Sequence, residues 1–188
     1  CAIVLPNGSL FASGDNSIGA RVKQKLMKEC NLHTIVRLPQ GVFAPYTQIP
    51  SNLLFFEKGQ PTEEVWFYEI RNDGFDPDKI SGGGRPETPE LNDIPDLLQQ
   101  WAKYKASGYK TPPGIEANTI LEAGSEEPRC WWATVATVKA NDFSIAAGRY
   151  KPTVGKAAPN DDPVELIRSL RDDEKGLVSG LEKLLTDV

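Results

Sequence analysis

One histidine and three cysteines are all that these 188 residues offer as soft metal ligands. Cys1, Cys30 and Cys130 are odd in number, far apart and never spaced as Cys-x-x-Cys, and His33 stands alone. Neither a disulfide framework nor a zinc site follows from that pattern, and the thiols are expected to be free and buried. With a single histidine, no Ser/His/Asp or Cys/His constellation assembles either, which disfavours an unrelated α/β enzyme built on such chemistry. No apolar run approaches the roughly 20 residues that cross a bilayer, and the N-terminus lacks the basic flank and long apolar core of a signal peptide. A cytoplasmic location without a membrane partner is the expectation. An excess of positive charge is missing as well. A net charge of −5 argues against holding nucleic acid by the overall field, while leaving room for a local basic patch.

What is present is ordinary for a globular protein: 39% apolar and 25% charged residues, enough chain for one sizeable core or one and a half. The chain enters the apolar run Ala2-Ile3-Val4-Leu5 directly after Cys1, with no cap or loop, and so reads as the C-terminal portion of a longer polypeptide. That run is expected to be a buried strand closed by Pro6-Asn7-Gly8. A helix follows, capped by Asn16 or Ser17, with Ile18, Val22, Leu26 and Met27 at helical spacing. Arg21, Lys23, Lys25 and Lys28 lie between them and read as a solvated outer face, the competing role being contact with phosphate. Thr34–Leu38 is the next strand, and the strand-helix-strand unit is expected to be a parallel, right-handed crossover.

The stretch from Gln40 to Phe56, QGVFAPYTQIPSNLLFF, joins a turn-rich loop to a strand. Gly41, Pro45 and Pro50 forbid regular structure and impose a bent path that carries Phe43, Tyr46 and Thr47. Asn52–Glu57 has the nearly continuous apolar character of a strand buried on both faces. Only Lys58–Glu63 separates it from the run Glu64–Ile70, a loop short enough for an antiparallel hairpin, and the second strand is expected at an edge. Residues 71–95 turn to Asp, Gly and Pro and read as a surface connection. The triplet Gly82-Gly83-Gly84 has neither the strand-glycine-helix setting nor the downstream Lys-Ser/Thr of a phosphate loop.

A second helix is expected over Asp96–Ala106, with Leu97, Leu98, Trp101 and Tyr104 on its packed side. Cys130–Val135 reads as a strand in which Trp131 and Trp132 point opposite ways, so that packing outweighs base stacking for the pair. Beyond the tether 151–160, Asp162 and Pro163 start a helix. Ile167, Leu170, Leu177, Leu181, Leu184 and Val188 then recur on three- and four-residue steps, a coiled-coil-like seam. Gly176 and Gly180 cost that helix about 1 kcal/mol each relative to alanine, so it is expected to dock on another helix.

AIVLPNGSLF, the following helix and HTIVRLPQGVFAPYTQIPSNLLFFEKGQPTEEVWFYE together resemble the modification subunit of type I restriction-modification systems, an N6-adenine DNA methyltransferase. The resemblance is densest over residues 2–70 and resumes at NDFSIAAGRY, residues 141–150. It implies an α/β fold: the C-terminal part of a Rossmann-like class I methyltransferase sheet, strands five to seven plus an added edge strand, followed by a mainly helical extension. Ala2–Leu5, Thr34–Leu38 and Asn52–Glu57 match the fifth, sixth and seventh strands, the seventh antiparallel. The implied division is 1–71 for half of the catalytic domain, 72–150 for a loop-rich extension and 151–188 for the tether and C-terminal helix.

By the same resemblance the methyl donor is S-adenosylmethionine, yet the family's glycine-rich cofactor motif and its Asn-Pro-Pro-aromatic catalytic motif occur nowhere in these residues. The fragment alone is therefore expected to be inactive, with no catalytic or cofactor-binding residue of its own. The loop before the seventh strand supplies a wall for the extruded base, which assigns Phe43 to base stacking and Tyr46 to the same task in second place. Implied partners are double-stranded DNA, a specificity subunit, a second modification subunit and, in the full complex, a restriction subunit. Ile167, Leu170, Leu177, Leu181 and Leu184 are the expected subunit contacts. A non-catalytic interaction module docking through that helix is the alternative from another class.

Overall fold

The computed structural model describes residues 1–11, 17–76, 85–155 and 171. Cys1–Val154 forms one compact unit and Gly155–Val188 a second. In chain order the first unit contains β1 (Ala2–Pro6), α1 (Ile18–Glu29), β2 (Cys30–Arg37), β3 (Ser51–Lys58) and β4 (Glu64–Glu69). Then come β5 (Asp73–Phe75), β6 (Glu87–Asn92), α2 (Ile94–Ala106), β7 (Ile115–Glu116), β8 (Ile120–Leu121), β9 (Cys130–Thr134), α3 (Val135–Ala140) and β10 (Thr153–Val154). The main sheet is mixed and runs β1-β3-β2-β4-β9-β7, with β3 antiparallel to both β1 and β2, and β4 parallel to β2. β1 and β2 are consequently parallel to each other, as a strand-helix-strand crossover requires, with β3 slotted between them.

The expected hairpin between β3 and β4 does not form. The intervening loop, residues 59–63, crosses the start of β2 instead, a step of about two strand spacings that a short extended loop spans easily. It is tied there by Thr62, whose Oγ1 accepts from Leu32 N and donates to Cys30 O, both at 2.8 Å, and by Gly59 N, which donates to Glu29 O. Nor is β4 an edge strand. It lies between β2 and β9, and Val65, Trp66, Phe67 and Tyr68 are each 0% exposed. Alternation sends Val65 and Phe67 into one core, with Leu54, Trp131, Val138 and Tyr150, and Trp66 and Tyr68 into the other, with Val36 and Tyr104 under α2. A strand covered on both faces has no wet side, which is why its sequence assigned none.

Two other expectations are corrected. β1 is not buried: it forms an outer strand of the sheet, and Ile3 and Val4 are exposed. α1 is capped by Ser17, whose Oγ accepts from Ala20 N at 3.1 Å, but Ile18 and Val22 face outward at 81% and 61% exposure. The helix buries Ala20, Lys23 and Met27 instead, on steps of three and four. Lys23, expected on the solvated face, donates from Nζ to the carbonyls of Leu10 and Phe11, and burial lowers its pKa. The Leu10 carbonyl also accepts from Ile145 N, and the contact of Lys23 with it and with Phe11 O accompanies the rotation that turns Lys23 inward.

The stretch 71–95 contains the small β5-β6 sheet as well as connections. α2 begins at Ile94, slightly ahead of the expected start; Tyr104 is buried, Leu97 and Trp101 are half-buried, and Leu98 is exposed. Trp131 packs against Phe67 at 6.3 Å while Trp132 joins the opposite core. All three thiols are free, yet Cys1 is exposed and Cys30 and Cys130 only half-buried. Gly114, at φ 96°, lets the chain pass against the backbone of Cys130 where any Cβ would collide. The glycine triplet 82–84 and the C-terminal seam, with Ile167, Leu170, Leu177, Leu181 and Leu184, lie outside the described residues.

Candidate functional site

β2 ends at Arg37 and β3 begins at Ser51; between them the chain leaves the sheet and returns, closed at its base by Leu38 N donating to Ser51 O at 2.9 Å. Gly41 supplies a positive φ of 80° that a side chain would strain. Ala44 N donates to Gly41 O, and Tyr46 N and Thr47 N both donate to Phe43 O. Ile49 N donates to Thr47 Oγ1 at 3.1 Å. The loop is thus braced by its own backbone and leaves its aromatic side chains unspent: Phe43 is 38% exposed and Tyr46 94%. The structure brings these two expected site residues onto one compact turn and buries neither.

Beside the loop is a cavity of about 460 Å³ lined by Leu38, Val42, Ala44, Ile70, Phe75 and the pair Asp73–Arg85, with Ile94 closing one side. The guanidinium of Arg85 grips Asp73 through two hydrogen bonds of 2.5 and 2.6 Å and donates further to the carbonyls of Phe75 and Asp76. Hydrogen bonding to Asp73 raises the pKa of Arg85. The cavity is therefore apolar with one internally satisfied ion pair. Nothing in the composition of 71–95 marked it, because the pair closes a small sheet that only the fold assembles.

At the same end of the parallel pair β2–β4, the register partners Arg37 and Glu69 form a 3.1 Å ion pair. Glu69, only 12% exposed in its side chain, also accepts Lys151 Nζ at 2.8 Å and lies 3.5 Å from Arg71 Nε. Lys151 reaches Glu127 as well, and this ammonium holds the Glu127 carboxyl below the usual carboxylate range. Asp93 accepts from the backbone of Arg71 and Asn72, both at 2.9 Å, and from Arg129. None of these side chains was singled out in the sequence as a site residue. His33, the lone histidine, is a core residue: it stacks on Tyr109 at 3.8 Å, its Nδ1 lies 2.8 Å from Thr34 Oγ1, and burial drags its pKa down to about 4. Among the described residues no group of three His, Cys, Asp or Glu side chains is arranged to hold a metal ion, and no helix is long and apolar enough to cross a membrane.

The profile of the N-6 DNA methylase family matches residues 1–157. The chain belongs to that family. The type I restriction enzyme EcoEI methylase subunit of Escherichia coli is 63% identical over 166 residues, which is 88% of this chain and 29% of that subunit. A chain from a type I restriction-modification system, solved to explain complex assembly and conformational transition, matches 98% of this chain and 34% of its own length, with TM-score 0.60 and 32% identity. The EcoKI M protein shares the fold over 97% of this chain and 40% of its own, at TM-score 0.52 and 21% identity. This chain thus spans between 29% and 40% of the length of these three.

Proposed function

We propose that this chain forms part of the methylase subunit of a type I restriction-modification system, which transfers a methyl group to N6 of adenine in double-stranded DNA. Family membership and the identity to the EcoEI subunit support the assignment. The antiparallel β3 between the parallel strands β1 and β2 supports reading them as the seventh, fifth and sixth strands of a Rossmann-like class I methyltransferase sheet. S-adenosylmethionine supplies the methyl group in such chemistry. The described residues do not fit that cofactor: the one carboxylate lining the loop-side cavity, Asp73, is taken by Arg85 and by Phe75 N. α2 opens from Asn92-Asp93 rather than from a glycine-rich turn. The fragment is accordingly proposed to be inactive alone, acting with polypeptide that carries the cofactor and catalytic motifs.

The part this chain plays is to hold the target base. An adenine amino group inside a duplex is out of reach, so the base is extruded, and its face needs an apolar or aromatic wall. Phe43, partly exposed on a turn fixed by Gly41 and by two hydrogen bonds to its own carbonyl, is that wall; Tyr46 flanks it. The observation that carries the reading is this exposure of Phe43 on a braced loop at the end of β2. Phe43→Ala in the assembled methylase is expected to lower methyl transfer, since stacking contributes roughly 1 to 3 kcal/mol, while Phe43→Trp lowers it less. Unchanged kinetics in Phe43→Ala would overturn the assignment.

The specificity subunit, a second modification subunit and the restriction subunit are the proposed protein partners, and Ile167, Leu170, Leu177, Leu181 and Leu184 the proposed contacts. The spacing of these residues in the sequence supports that role.

A further inference from the structure

Arg37 and Arg149 come from stretches more than a hundred residues apart, yet the fold lays Gly148, the residue before Arg149, against Arg37: a Cβ added at Gly148 would lie 3.4 Å from Arg37 Nη1. Each guanidinium is tied by one edge only. Arg37 Nη1 pairs with Glu69, and Arg149 Nε donates to Asn141 Oδ1 at 2.9 Å. Among the described residues neither side chain has another hydrogen bond or ion pair, so donors remain on both. Asn141 is itself fixed, its Nδ2 donating to Thr137 O at 2.8 Å, and the next two residues, Asp142 and Phe143, hold φ of 53° and 55°. Non-glycine residues are rarely found there, and two in succession are kept only where the surroundings impose them. Glu69 is shared among Arg37, Arg71 and Lys151, and Glu127 between Arg71 and Lys151, while exposed Asp142 follows Asn141.

We propose that Arg37 and Arg149 form a clamp for a nucleic-acid backbone phosphate beside the Phe43 loop, with Glu69 and Asn141 as the positioning residues that aim the two guanidinium groups. This inference rests on the assignment of the chain to a DNA methylase, and adds which residues hold the DNA backbone. Guanidinium forks match phosphate oxygens, and an arginine anchored through one edge presents the other with little rotamer freedom left to lose. Arg37 directly precedes Leu38, where the loop departs, so a phosphate held here lies at the root of the segment that carries Phe43. An acidic protein of net charge −5 gains a local anion site in this way, against its overall field.

The test is the salt dependence of binding of the 188-residue chain to a short fluorescein-labelled DNA duplex, read by anisotropy over a KCl series. Each phosphate contact contributes about 0.9 to the slope of log affinity against log salt. Arg37→Ala and Arg149→Ala are each expected to reduce the slope by about one unit, and Arg37→Lys to retain it. Lys25→Ala, on the outward face of α1, is the control and leaves it unchanged. Arg149 is exposed on a surface turn, so its variant keeps the test open even if Arg37→Ala fails to fold. Unchanged slopes in both arginine variants, no binding by the wild-type chain at low salt, or a loss only in Lys25→Ala each overturn the clamp. The measurement involves neither adenine extrusion nor methyl transfer. The clamp can therefore fail while the Phe43 role stands, and a failed Phe43 test leaves these slopes untouched.

Discussion

Two aromatic stretches of similar composition meet opposite fates. Trp66, Phe67 and Tyr68 on β4 are each 0% exposed, whereas Phe43 and Tyr46, some twenty residues earlier, are 38% and 94% exposed. Strand β4 has paired neighbours on both edges and a core on each face, so every ring finds a wall of other side chains. The loop hydrogen-bonds chiefly to itself, and its rings are left over. Hydrophobicity along the chain is thus no guide to which aromatics hold the fold together and which are available to a ligand. The strand pairing makes that division, and substitutions should expose it.

The largest expected effect is on the buried side. Trp66→Ala removes a ring from the centre of the α2-side core and is expected to cost about 3 to 5 kcal/mol, enough to unfold a marginal domain; a urea midpoint within error of wild type would break the comparison. Phe43→Ala should change the unfolding free energy from the same titration by no more than about 0.5 kcal/mol, as surface changes do, and yet lower methyl transfer in the assembled enzyme.

A comparable loss, of association rather than folding, is expected from the C-terminal seam. Leu177→Asp with Leu181→Asp sets two charges into an apolar contact. Capture by the specificity subunit should then fail while residues 1–154 melt as before. Undiminished capture would mean that the seam serves its own chain.

A smaller effect sharpens the contrast through pH. His33 is held neutral by burial, its pKa drawn from 6.5 to about 4. The unfolded chain therefore takes up a proton that the folded chain refuses, so stability is full above pH 6.5 and declines as pH falls toward 4. Urea unfolding at pH 7 and pH 5 should show that decline in the wild type and a shallower one in His33→Phe. Equal slopes would remove His33 from the account. The smallest differences are those among aromatic replacements at position 43, where Phe43→Trp keeps a stacking face and should lower transfer less than Phe43→Ala.

Local pattern carried a good part of this protein. The cap at Ser17, the strands around Thr34–Arg37 and Asn52–Glu57, the helix over Asp96–Ala106 and the exposed bent loop with Phe43 all follow from residue spacing and turn chemistry, which act within a few positions. Pairing was beyond that reach. A short loop after β3 looks the same whether it closes a hairpin or steps over β2, and only the partners of Thr62 settle the choice. The same holds for the rotation of α1, which turns Lys23 inward to the carbonyls of Leu10 and Phe11, and for the outer position of β1. Arg37 and Glu69, or Arg37 and Gly148, become neighbours only when separate strands and turns are laid side by side. The sequence determined the longer strands, the helices α1 and α2 and the turns between them, because those preferences are local, but not the short strands β5, β6, β7, β8 and β10, which exist only by pairing. Which strand lies beside which, and so which charges converge at the end of the sheet, was decided by tertiary structure, because burial and hydrogen-bond satisfaction are settled over the whole fold at once.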